Sequence, residues 1–290
     1  MVMHDLIVPI DIIRSHRNHT HRLSQEKRLL SLEMAVEYIN ERGIIAFWPI
    51  KGIPMPSLWT ATAGDRPVPD EHDDPGHVTW GWKDELLGKK KCFYARVFCR
   101  RNFFVSLEYL PYLFTLSNNF GDPSEEHYLH YQSGNLSRSA FNVYDKLLKN
   151  GPMDTVSLKR EVHLSGKEGD QEFNRAIDHL QMQLLILPTG ISRSGGWHYS
   201  FIYDLVPRHF PDLVDKCRFI TDSNAKKILL LNSFSSNGFS TKKEISSIFK
   251  WKNGEISATL DDLLNDHDIL SAQLLENGQT ISGYIFAKLI

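Results

Sequence analysis

The strongest constraint on what this chain can fold into is an order of elements that occurs twice in its C-terminal half. The first occurrence begins with a helix over 137–150, where Phe141, Tyr144 and Leu148 share a face and Gly151-Pro152 ends the run. A short helix over 155–163 and a third over 172–183, with Phe173, Ile177 and Leu180, follow it. Two strands, 184–188 and 197–205, then flank the turn SRSGG, and Trp197, Tyr199, Phe201, Tyr203 and Leu205 alternate onto one face. The second occurrence runs through helices over 224–234 (Ile228, Leu231, Phe234), 241–249 and 253–266 (Ile256, Leu260, Leu263). Strands over 269–275 and 280–289 close it across Asn277-Gly278, a strong two-residue hairpin signal. Both third helices space their apolar residues by four and then three. Three helices and a hairpin make the winged-helix plan.

Leu32, Val36 and Ile39 repeat that spacing between a Ser31 cap and Gly43, ahead of a strand-like run over 44–48. The expected fold class is therefore α+β, mainly α. It is built of tandem winged-helix units, two clear and a third, altered one at the N-terminus. Four segments follow: a polar, basic arm over 1–30 (Arg14, His16, Arg17, His19, His21, Arg22), an altered unit over 31–133, and winged-helix units over 134–213 and 214–290. The turn-rich 118–134 marks the main boundary, after a strand pair over 92–105 and a helix over 106–116 broken near Pro111.

Units of this kind meet nucleic acid through the third helix and the hairpin, or serve as protein-interaction scaffolds. Charge distinguishes the two copies. The first third helix carries Arg175 with Glu172 and Asp178, whereas the second carries Asp261, Asp262 and Asp266, which would repel phosphates. Contact with double-stranded DNA, damaged or intact, is then expected from Arg193 and His198 of the first hairpin and from Lys242 and Lys243. A stripe of Lys89, Lys90, Lys91, Arg96, Arg100 and Arg101 completes the expected interface.

That stripe ends a second unusual region, 43–97. Trp48, Trp59, Trp80 and Trp82 fall there, four of the six tryptophans, beside the run Asp70-Glu71-His72-Asp73-Asp74-Pro75-Gly76-His77. Seven acids lie between Ala61 and Glu85 against Arg66 and Lys83, while from Leu86 to Leu110 six bases face Glu108 alone. Flat rings, carboxylates and cations suit a pocket; they equally suit a long irregular segment with its tryptophans in a core and its charges in water. Stacking on a base is worth about 1 to 3 kcal/mol, so Trp48, Trp59, Trp80 and Trp82 are the candidate base-stacking residues.

The chain has 290 residues, a net charge of −2 and 41% hydrophobic residues, as expected of a globular protein. Cys92, Cys99 and Cys217 are an odd number without metal-ligand spacing, which fits a reducing cytoplasm. No apolar run reaches the roughly 20 residues of a membrane span. A cytoplasmic protein with no membrane partner, no metal and no other cofactor is expected, and the oligomeric state is left open.

The helix start Met153-Asp154-Thr155-Val156, the segment FNRAIDHLQMQLLILPTG and the exit FIYDLVPRHFPDL resemble the second winged helix of the AlkZ/YcaQ-type crosslink-repair DNA glycosylases. The exit residues that carry the likeness are Tyr203, Asp204, Leu205, Arg208 and Pro211. SLEMAVEYINERGIIAFWPIKGIPMPSLW looks like the divergent AlkZ-related branch, and the similarity covers 32–289. The resemblance implies three tandem winged helices around a concave DNA-binding surface, and metal-free hydrolysis of the N-glycosidic bond of alkylated or crosslinked purines by a monofunctional DNA glycosylase. The family's Gln-x-Gln or Gln-x-Asp motif falls here on Ala46-Phe47-Trp48, where neither polar residue stands. Gln181-Met182-Gln183 spells the motif but lies in the wrong winged helix. An aromatic cannot take a proton from water, so the candidate catalytic groups are Asp65 and Glu71. The alternative is a non-catalytic winged-helix DNA-binding or regulatory protein that has lost the motif.

Overall fold

The lead-in, expected as a loose arm, folds into a strand and a helix. In a computed structural model that describes residues 6–117, 119, 122–195 and 198–290, β1 (Leu6–Pro9) passes through Pro9 into α1 (Ile10–Thr20). Then follow α2 (Leu32–Arg42), β2 (Ile44–Ala46), α3 (Leu58–Ala63) and α4 (Val78–Leu86). The Ser31 hydroxyl accepts from the Met34 amide and Gly43 ends α2 at φ 75°, as the sequence indicates. A hairpin of β3 (Phe93–Phe98) and β4 (Arg101–Val105) turns on Cys99 and Arg100, both left-handed. Pro111 sits in the first turn of α5 (Leu110–Thr115), so it starts this helix rather than breaking one.

Beyond α6 (Glu126–Gln132) comes the first repeat: α7 (Arg138–Asn150), β5 (Met153–Asp154), α8 (Thr155–Glu161), α9 (Lys167–Met182), β6 (Ile186–Ser192) and β7 (Ser200–Leu205). Short α10 (Val206–His209) and α11 (Leu213–Cys217) lead to the second: α12 (Asp222–Asn237), β8 (Phe239–Ser240), α13 (Lys242–Phe249), α14 (Asn253–Asn265), β9 (Ile269–Glu276) and β10 (Gln279–Phe286). Asn277 and Gly278 both take positive φ, 50° and 77°, as a tight hairpin turn requires. Helix α9 begins five residues before the expected Glu172, from a glycine cap that its apolar spacing does not mark. Trp197, expected on the inner face of β7, lies outside the described residues.

The chain divides into two compact units, 80–221 and a discontinuous one of 1–79 with 222–290, so neither follows the four expected segments. Within the discontinuous unit β1 adds in parallel to β9 in a sheet ordered β1-β9-β10-β8, and Val8, Ile13, Phe239, Ala272, Leu274 and Ile285 form a shared core. The basic residues of the arm have partners far along the sequence. Arg17 donates to the Asn237 and Phe239 carbonyls (2.9 and 3.2 Å), His16 bonds the Ser235 carbonyl and Thr20 the Ser236 carbonyl. Carbonyls at a helix C-terminus lack intrahelical donors, and α1 supplies them to α12. His21, buried beside Arg17, is pushed down to about 4, chiefly by desolvation.

The continuous unit packs α7, α8 and α9 with the sheet β5-β7-β6 around Tyr144, Leu147, Phe173, Ile177, Leu180 and Leu205. Among the described residues, no helix is long and apolar enough to cross a membrane.

Candidate nucleic-acid interface

The acidic run near Trp59 is tied into its own unit. Arg66 holds Asp74 through two bonds, Nη1 to Oδ2 at 3.0 Å and Nη2 to Oδ1 at 2.6 Å, and its guanidinium lies 4.9 Å from the Trp59 ring centroid. That hydrogen bond from Arg66 is the main reason the Asp74 carboxyl stays below the usual range. The Trp59 indole donates to the Arg66 carbonyl at 3.0 Å, and His77 packs against the same ring. A Cβ on Gly76 would stand 2.7 Å from Trp59, so only glycine fits that approach. Trp59 is fully buried and offers no face to a base; the stacking expectation is corrected there. Asp65 and Glu71 are exposed.

The remaining tryptophans are placed differently. Trp48 is 37% exposed and stacks on Phe47, centroids 5.3 Å apart. Trp82 is buried, so the stacking expectation is corrected there as well. Trp80 is 38% exposed and covers Lys83, whose Nζ lies 4.7 Å from its ring centroid.

Lys83 is a residue that a count of charges overlooks. Its side chain is only 1% exposed, with Nζ 2.6 Å from Asp84 and 2.5 Å from the Tyr199 hydroxyl. The rings of Tyr199 and Phe201 complete the surround at 5.1 and 4.7 Å. Desolvation lowers its pKa, and the bond with Asp84 works against that shift. A buried ammonium is tolerable when ring faces and a carboxylate replace its water.

The expected basic stripe is heterogeneous. Lys89, Lys90, Lys91, Arg100 and Arg101 are exposed, and Lys89 lies 3.6 Å from Glu85. Arg96 is paired with Asp178, and its amide donates to the Gln181 side chain at 3.1 Å. Gln181 is buried and its amide group also reaches the Ile177 carbonyl, which gives this Gln-x-Gln a packing role. Arg100 and Arg175 line a cleft of about 760 Å³ along α9 together with Glu168, Glu172 and Asp178. Arg193 and His198 are exposed at the β6–β7 turn.

In the other unit, Lys242 and Lys243 line a groove of about 500 Å³ between α13 and α14. Lys250, Ser246, Ser247, Asn253 and Ser257 line it too, and no carboxylate does. Both nearby acids are engaged elsewhere: Glu244 closes the cap on Thr241, and Glu255 bonds the Lys252 amide and Lys226 at 2.6 Å. Lys250 and the serines were missed from the sequence. The signal was present, since Lys242, Ser246 and Lys250 recur every four residues, as do Lys243 and Ser247. Among the described residues no group of three or more His, Cys, Asp or Glu is placed to hold a metal ion.

The family model described as "AlkZ related" matches residues 29–250. The chain belongs to the AlkZ-related family. No curated protein sequence matches it. Among solved structures, the Streptomyces sahachiroi DNA glycosylase AlkZ is similar in fold, with a TM-score of 0.58 at 10% identity, over 98% of this chain and 71% of that one. At the positions where the AlkZ/YcaQ motif was aligned, Ala46 and Phe47 are buried. Their backbone groups bond the Pro56 carbonyl and the Trp59 amide, so this stretch of the AlkZ-related chain is part of a core.

Proposed function

We infer that this AlkZ-related chain is a DNA-binding protein built of tandem winged helices, and that α13 and α14 with the β9–β10 hairpin form its principal unit for gripping a duplex. The observation that carries this reading is the α13–α14 groove, where three ammonium groups, three hydroxyls and an amide converge without a carboxylate. Phosphate oxygens call for that donor set, and the release of counterions they have condensed supplies most of the affinity. The acids on α14 that argued against DNA contact point to a different part of the helix: Asp261 and Asp262 are exposed, Asp266 pairs with Lys227, and none lines the groove.

Repair of alkylated DNA by N-glycosidic hydrolysis is the reaction that the name of the Streptomyces protein suggests. Against it here stand a motif position made of Ala46, Phe47 and Trp48, and candidate acids, Asp65 and Glu71, left in water. General-base work on a positioned water needs a carboxylate held near its target and partly desolvated. Binding without hydrolysis is therefore the better-supported function. Incubating the protein with duplex DNA containing 7-methylguanine tests it: the expected outcome is a salt-sensitive complex with no released base. Release of free 7-methylguanine that is lost in Asp65→Asn or Glu71→Gln would establish the hydrolytic reading instead.

A further inference from the structure

The groove between α13 and α14 shares Lys242 with a second cavity, of about 330 Å³, on the outer face of the β9–β10 sheet. Ser271, Gln273, Ser282 and Tyr284 line this second cavity, again with no carboxylate. Register explains the composition. Ser282 pairs with Gln273 and Tyr284 with Ser271, so these four side chains share one face, opposite the buried Ala272 and Ile285. Ile7 of β1 pairs with Gln273 and continues the row at 59% exposure; Leu275, two residues on, is 38% exposed. The strand positions of this face, 7 and 9 on β1, 271, 273 and 275 on β9, and 280, 282 and 284 on β10, hold no charged residue.

A solvent-facing sheet surface without charge, carrying an aromatic, an amide, hydroxyls and open aliphatics, is unsuited to phosphates. It suits flat, uncharged rings with hydrogen-bonding edges. Next to it, across one lysine, lies a groove suited to phosphates and not to rings. We propose that the outer face of β9 and β10 is a subsite for the unpaired bases of a DNA strand whose backbone is held by the α13–α14 lysines, so that the protein prefers a duplex with a single-stranded extension. Tyr284 supplies the ring on which a base stacks, and Gln273 has the donor and acceptor that a base edge requires. This rests on the DNA-binding reading above and adds the form of DNA that is bound.

Fluorescence anisotropy with a blunt duplex and with the same duplex bearing a short thymidine tail tests the proposal. The tail is expected to tighten binding roughly tenfold, within the range of one or two stacked bases. Tyr284→Phe should keep that gain and Tyr284→Ser should lose it. Gln273→Glu, which places a carboxylate on a face that has none, should also lose it. Equal affinity for both DNAs, or a gain that survives Gln273→Glu, overturns the subsite while leaving duplex binding intact. Failure to bind either DNA overturns the DNA-binding reading itself. Self-association of the wild type with no tail effect would assign this face to a second copy of the chain and overturn the subsite as well.

Discussion

The third helix of each repeat borders a cavity, and the two linings treat charge in opposite ways. Along α9 two guanidinium groups, Arg100 and Arg175, share the cleft with Glu168, Glu172 and Asp178. Between α13 and α14 three ammonium groups meet no carboxylate. The contrast lies in the two linings, since both units also hold paired cations, Arg66 with Asp74 and Lys226 with Glu255 in the discontinuous one. In 80–221 several cations are tied to carboxylates of the same unit, Lys83 with Asp84 in the interior and Arg96 with Asp178, Lys159 with Asp170 and Arg208 with Asp204 nearer the surface. In the other unit the groove lysines face water. On the DNA-binding reading proposed above, one order of elements serves two uses of a cation, as an internal tie and as an outward seat for an anion. Removing the first kind should cost stability and removing the second should cost affinity.

The largest effect expected is on stability, at Lys83. Lys83→Ala removes one partner of a buried pair and leaves Asp84 and the Tyr199 hydroxyl facing a void. The cost is about 3 to 5 kcal/mol, read as a lowered midpoint in urea. Lys83→Met keeps the stem against Trp80 and Phe201 and should recover part of the loss. DNA affinity of the folded fraction should be unchanged in both. A change in affinity at constant stability would place Lys83 with the outward cations and break the contrast.

Second comes the groove. Replacing Lys242, Lys243 and Lys250 together by Ala should weaken duplex binding roughly a hundredfold at low salt and reduce the slope of log affinity on log salt by about 0.9 for each lysine. Arg100→Ala with Arg175→Ala should leave affinity within about twofold, because the carboxylates beside them already oppose a phosphate. Equal losses from the two sets would mean that the charge of the lining does not decide which module grips DNA.

How much of this contrast was legible in the sequence depends on the range of the interactions. Ser31, Gly43 and Asn277-Gly278 mark their elements because a cap or tight turn is decided within a few residues. The apolar spacing of Phe173, Ile177 and Leu180 fixes the inner face of α9 for the same reason. Residues 10–22 read as a loose arm because their charges are visible and their partners, the carbonyls around Asn237, are more than two hundred positions away. Trp59 and Trp80 are alike in composition, yet one is buried under Arg66 and the other half-open over Lys83, a difference made by packing alone. Lys83 itself is one of two bases among seven acids, and nothing local shows that it is enclosed. The charge-free face of β9 and β10 was readable in principle, since alternation is visible, but only register reveals which residues stand side by side.

The smallest expected effect sharpens the contrast at Lys89, Lys90 and Lys91, outward cations that belong to the unit of inward ones. All three are exposed, and Lys89 is close to Glu85 at 3.6 Å, an exposed pair that water screens. Lys90 adopts φ 53° and lines a mainly apolar pocket with Leu107, Leu110, Phe210 and one acid, Asp212. If an opposing carboxylate is what withdraws a cation from phosphate, Lys89 beside Glu85 and Lys90 beside Asp212 qualify only in part. Their joint replacement by Ala should flatten the salt slope by about one, less than the groove triple because Lys89 already has a partner and no hydroxyls converge with them. An unchanged slope would confine the anion seat to α13 and α14; a slope change as large as that of the groove would show that exposure alone, and not the convergent hydroxyls of Ser246, Ser247 and Ser257, governs where the duplex is held.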